Sequence, residues 1–142
     1  MSYHPYLYGT WVPVVTLVGG AGNVVPVYTT NSGTYTRIGR TVFFNILLTG
    51  DGGAEGAGTG VFTITLPFST AASQLDILIP CGVLGNGGTE HMLFAHLIPS
   101  SPTFHLATDT IVAARVENTD LTGADQNNAA RYIEVMGKIL IQ

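Results

Sequence analysis

The chain is short of charge. Only 10% of its 142 residues are Asp, Glu, Lys or Arg, against about 25% in an ordinary soluble domain. Five of these are basic, and they form no cluster. That excludes the electrostatic footprint of a protein that binds duplex nucleic acid or an anionic membrane. A single cysteine, Cys81, excludes an internal disulfide and fits synthesis in a reducing cytoplasm. It has no basic neighbour in sequence and reads as a small core residue. No apolar run approaches the ~18 residues of a membrane helix. The N-terminus, MSYHPYLYGTW, lacks the charged and then apolar layout of a cleaved signal. Heptads and repeats of solenoid or propeller period are also missing.

Catalytic signatures are equally scarce. No H-E-x-x-H, C-x-x-C, G-x-S-x-G or Walker pattern occurs. His91 and His96 would fall on opposite faces of one strand, a poor chelating geometry, and His4 and His105 stand alone. The loop GDGGAEGAG offers Asp51 and Glu55, which together with backbone oxygens could hold a hard cation. A long hairpin loop is the simpler reading. The paired carboxylates of a glycosidase cannot be placed. The expectation is a protein that is not an enzyme and needs no cofactor or metal.

What the chain does have is a period of two. In VFTITLPF (61–68), Phe62, Ile64, Leu66 and Phe68 share a face. In RYIEVMGKILIQ (131–142), Ile133, Val135, Ile139 and Ile141 do the same, and Leu75, Ile77, Ile79, Cys81 and Val83 alternate likewise. Further strands are expected at 10–18, 24–29, 41–49, 89–98, 103–106 and 110–117, rich in Thr, Val, Ile, Phe and Tyr. Turn chemistry separates them at VGGAGN, TNSG (30–33), GDGGAEGAGTG, GNGG and PSSP. Only ENTDLTGADQNNAAR (117–131) could hold a helical turn. Seven to nine short strands with Gly-rich turns predict an all-β, antiparallel sandwich or barrel. The last strand is expected to run to the end of the chain and close the domain.

Trp11 to Val18, Val42 to Leu48 and His91 to Ile98 are apolar on both faces. A monomeric antiparallel sheet usually wets one face, so these strands, with the low charge, predict burial between subunits. Tyr3, Tyr6, Tyr8 and Trp11 crowd the N-terminus. Two readings stay open for residues 1–9: an aromatic arm that docks on a neighbour, or a segment folded over its own domain, residues 10–142. Arg37 and Arg40 flank Gly39 at the head of the 41–49 strand, where Gly39 predicts a bulge or tight bend. Both arginines are then strand-margin residues, with Arg37 the better candidate for a contact between subunits.

Taken in order, "TWVPVV" (10–15), "VPVYTTNSGTYTRIGRTVFF" (25–44) and "GTGVFTITLPF" (58–68) resemble a module found in structural proteins of tailed bacteriophages. The pattern is W-x-P, a tyrosine before a turn, G-x-Y-x-R-x-G ahead of an apolar strand, and L-P-F after a Gly-rich loop. Here these positions are Trp11, Pro13, Tyr28, Gly33, Tyr35, Arg37, Gly39, Leu66, Pro67 and Phe68. The match covers about residues 10–68. The resemblance implies a jelly-roll-like β-sandwich that works as a homotrimer, at a tail-fibre tip or as a protein decorating and cementing a capsid. Only about ten residues precede the module, which is short for a fibre shaft and long enough for a docking arm. The expectation is therefore a capsid decoration protein on the virion surface, made in the host cytoplasm, with the major capsid protein as partner and Tyr3, Tyr6, Tyr8, Trp11 and Arg37 at its contacts. The alternative is a tail-tip protein that contacts a host receptor, glycan or protein. A carbohydrate-active or carbohydrate-binding protein is the reading from another class.

Overall fold

The computed structural model describes residues 6–50, 54–86, 89–112, 115–127 and 130–142. Its strands are β1 (Tyr6–Trp11), β2 (Val15–Val18), β3 (Thr30–Ile38), β4 (Thr41–Thr49), β5 (Val61–Thr65), β6 (Ile77–Asn86), β7 (Thr89–Leu97), β8 (Thr103–Val112), β9 (Arg115–Asp120) and β10 (Arg131–Leu140). All pair antiparallel. They follow one continuous path, β1-β3-β4-β10-β6-β7-β8-β5-β2, with β9 beside β8. The all-β, antiparallel class is as expected. Among the described residues the strands number ten, close to the seven to nine expected, and they form one curled sheet.

Curling creates the core. Phe44 of β4 and Phe104 of β8 are separated by three strands along the sheet, yet their ring centroids lie 5.7 Å apart. Val42, Phe44, Ile46 and Leu48 point inward, and so do Phe62 and Ile64 of β5 and Ile133, Val135 and Ile139 of β10. The alternation in the sequence selects this face, because a strand with one wet and one dry face must bury every second residue.

The corner of the sheet lies in β6. Its register against β7 shifts between Pro80 and Gly82. One extra residue in a strand reverses its alternation and bends it. Cys81 and Leu84 are both buried, while Val83 is exposed, so the simple alternation expected through Cys81 and Val83 fails at this bulge. Glycine is required at 82: a Cβ there would stand 1.7 Å from the Glu134 carbonyl oxygen of the adjacent β10.

Several expected boundaries move. The 10–18 strand divides into β1 and β2 around the buried Pro13, which has no N–H for a ladder. The 103–106 and 110–117 segments become β8 and β9. Residues 24–29 are not a strand and hold only a single bridge, Val24 to Ala57. The TNSG segment is no turn but the start of β3. Its Gly33 lies under the Trp11 indole, 2.6 Å from where a Cβ would be, so the aromatic of β1 supplies the packing that the glycine lacks. Gly39 does turn the chain. With φ at 60° it joins β3 to β4 through a two-residue hairpin, in the left-handed region glycine tolerates best. The one helical turn, a 3₁₀ turn at Gly123–Gln126, falls in the polar segment expected to hold it. The Asp125 carboxylate closes it, accepting from the Thr122 N–H at 2.8 Å and the Thr122 hydroxyl at 2.9 Å.

The Cys81 thiol is buried, and burial pushes its pKa from 9.0 up to about 12. An unfolded chain releases this proton near pH 9 while the folded chain keeps it, so the folded state binds more protons between pH 9 and 12 and loses stability as pH rises. Two outcomes follow. A thiol-alkylating reagent should leave Cys81 unmodified in native protein at pH 8 and label it after denaturation. Cys81→Ala, although less stable at neutral pH, should show a shallower fall of thermal midpoint above pH 9.

Candidate functional site

The motif residues converge. The Trp11 ring lies 6.3 Å from both Tyr35 and Phe44, and Tyr35 meets Phe68 edge-on at 5.0 Å. The Arg37 guanidinium sits 5.9 Å from the Phe68 ring centre, a cation–π contact. It also donates from Nε to the Gly39 carbonyl at 2.8 Å, bracing the hairpin. Trp11 Nε1 donates to the Thr65 carbonyl at 3.3 Å, and Thr65 Oγ1 accepts from the Val14 N–H at 2.9 Å. Asn31 Nδ2 donates to the Pro13 carbonyl at 2.8 Å. Leu66 is buried in the core, with Pro67 and Phe68 half-buried after it. Trp11, Pro13, Tyr35, Arg37, Gly39 and Leu66–Phe68 thus tie the β1–β3 end of the sheet to the end of β5. Tyr28 belongs to a different place, donating its hydroxyl to Gln126 Oε1 at 2.9 Å.

Tyr6 and Tyr8 are set differently. Of the expected arm, residues 1–9, Tyr6 to Gly9 pair with β3. Tyr3 lies outside the described residues. Tyr6 stands opposite Ile38, and Tyr8 opposite Thr36, which in turn faces Phe43. All lie on the outer face, where Tyr6 and Tyr8 are 68% and 73% exposed and Ile38 and Phe43 both 47%. Their strand β1 begins the sheet path and, among the described residues, pairs with β3 alone. This is an aromatic edge of the kind that soluble monomers avoid. The side chains of Trp11 and Arg37, by contrast, are engaged within the chain.

The remaining sequence candidates do not gather. His91 is exposed at one end of β7. His96, on the opposite face, bonds Asp76 Oδ1 at 2.7 Å and stands 5.9 Å from His105. Asp51 lies outside the described residues, and Glu55 is exposed. No group of three or more His, Cys, Asp or Glu side chains suited to a metal occurs among the described residues. No helix among them is long and apolar enough to cross a membrane.

Sequence reasoning missed two features. Arg131 is buried, with its guanidinium over the Tyr28 ring and bonded to the Val27 and Ala54 carbonyls. The inward parity it shares with Ile133 and Val135 was the available signal. The second is a surface group on β10 and β7, made of the half-buried Tyr132 and the exposed Glu90 and Glu134, which no local pattern marks. No protein-family model and no curated protein matches the sequence.

Proposed function

We propose that this chain is a non-enzymatic structural protein of a bacteriophage particle, which decorates the capsid surface and bridges major capsid subunits as a homotrimer. The observation that carries the reading is the exposed edge formed by Tyr6, Tyr8, Ile38 and Phe43. A thin aromatic strip on an edge strand offers both backbone pairing and buried apolar area to a neighbouring chain, the two means by which a protein without a catalytic set can brace a shell. The low charge of the whole chain fits a surface that other protein covers. The phage assignment itself rests on the motif resemblance. The convergence of the motif residues supports it to this extent: they act together as a unit that closes the fold.

The test mixes purified protein with expanded capsids and counts bound copies by electron cryomicroscopy. Copy numbers in multiples set by icosahedral symmetry are expected. The pair Tyr6→Ser and Tyr8→Ser should weaken binding about 100-fold or more, taking ~1.5 kcal/mol as a moderate value for each aromatic contact. Both side chains are solvent-exposed in the single chain, so the thermal midpoint should change little. Protein that ignored capsids but blocked adsorption of phage to cells would instead establish the tail-tip role.

A further inference from the structure

At the far end of the outer face from Tyr6 and Tyr8, three strands build a small platform. Tyr132 of β10 stands opposite Gly85 of β6, which stands opposite Glu90 of β7. A Cβ on Gly85 would fall 2.0 Å from Tyr132 Cε1, so the phenol ring lies flat on the glycine. Its hydroxyl donates to Glu90 Oε1 at 2.5 Å. The ring is therefore held at both ends, by close packing against backbone and by a charge-assisted hydrogen bond. Its free side borders a hollow of about 650 Å³ whose walls include Thr49, Glu90 and Glu134. Through Val83 and Glu134 this joins a second hollow of about 460 Å³, floored by Leu47 and Met136 and edged by Ser32, Thr34 and Asn45.

We propose that this groove binds a neutral oligosaccharide, with Tyr132 as the stacking platform and Glu134 and Glu90 as acceptors for sugar hydroxyls. A pyranose ring presents a face of weakly positive C–H groups, which suits the negative face of a fixed aromatic ring. Ionised carboxylates only accept hydrogen bonds, so the ligand must donate them. Hydroxyl and amide groups on Ser32, Thr34, Asn45 and Thr49 continue along the groove and can read further units. The charge disfavours an anionic sugar: among the described residues two carboxylates line the groove, and the cation Arg131 is buried and donates to the Val27 and Ala54 carbonyls. A preformed aromatic rotamer lowers the ordering cost on binding. The site goes beyond the particle reading and does not depend on it, since it uses none of the residues assigned to capsid contact.

The experiment is an amide NMR titration of the whole chain with maltotriose, cellotriose and tri-N-acetylchitotriose, with a heparin disaccharide and trilysine as charged comparisons. At least one neutral trisaccharide should shift resonances at Gly85, Glu90, Tyr132 and Glu134, and the heparin disaccharide should not. Tyr132→Ala should weaken that binding about tenfold or more, and Glu134→Gln several-fold. Glu134 is exposed, so its variant keeps the fold if the tyrosine variant does not. Silence at these four residues with all three sugars would overturn the proposal, as would shifts confined to another surface or tighter binding of trilysine at the same residues. Capsid binding measured on the same variants should be unchanged, which separates a failure here from a failure of the particle reading.

Discussion

Replacing Arg131 by alanine is expected to lower the thermal midpoint by on the order of 10 °C, from a loss of about 3–5 kcal/mol. Arg131 is 1% exposed. It ties two segments outside the strands to β10, donating to the Val27 carbonyl and, at 2.9 Å, to the Ala54 carbonyl. It also lies 5.5 Å from the Tyr28 ring centre. Removing it takes this donor from both carbonyls, of which Ala54 keeps the Val27 N–H at 2.9 Å, and empties the buried volume that the side chain fills. Lysine should rescue only part of the loss, because a single ammonium cannot reproduce the planar fork that serves two carbonyls and a ring together. Burial raises the Tyr28 pKa strongly, and the Arg131 charge beside it opposes that rise. Thermal melts followed by circular dichroism give the stability change. A midpoint within a degree or two of the parent would show that Arg131 does not hold these segments.

The contrast between Arg131 and its neighbours shows what the sequence can carry. Ile133, Val135 and Ile139 are legible because a strand with one buried face must repeat every second residue, and apolar side chains make the repeat visible. Arg131 obeys the same parity but is polar, and polarity conventionally marks the outside. Only the loops that it grips, about 77 and 104 residues away in sequence, make its burial affordable. The start of β3 was hidden for a related reason. Thr30, Asn31, Ser32 and Gly33 look like a turn, and they become a strand because β1 and β4 pair on either side and Trp11 covers the glycine. The bulge at Cys81 reversed an alternation that local reading carries straight through.

The candidate sites divide along the same line. Tyr6 and Tyr8 could be picked out because aromatics crowded into a few residues are unusual anywhere. The Tyr132 platform could not, since Tyr132 and Glu90 are 42 residues apart and meet only through the pairing of β10, β6 and β7. The W-x-P, Y-x-R-x-G and L-P-F residues carried information of another kind. They are dispersed over about sixty residues of sequence and yet share one packed cluster, so their spacing encodes the closure of the sheet rather than a binding surface.

Phe44→Ala is the second change with a large expected effect, about 3–5 kcal/mol. Phe44 is 1% exposed at the point where the two ends of the curled sheet face each other. Its ring lies 6.3 Å from Trp11 on one side and 5.7 Å from Phe104 on the other. It also fills the space above Gly137, where a Cβ would fall 2.5 Å from Phe44 Cζ. That explains the break in the inward run Ile133, Val135, Gly137, Ile139: β10 gives up a side chain so that β4 can place a large one. Alanine at 44 therefore empties a site that no neighbour on β10 can refill, and the loss should sit at the upper end for an aromatic deletion. Leucine at 44 should recover much of it. The pairing can be tested by adding the complementary change. Gly137→Ala alone should destabilise, because the new methyl meets the phenyl ring. In the Phe44→Ala background the same change should cost far less or stabilise, giving a coupling of about 1–3 kcal/mol in a double-mutant cycle from urea denaturation. Additive single effects would mean that the ring and the glycine do not share this space.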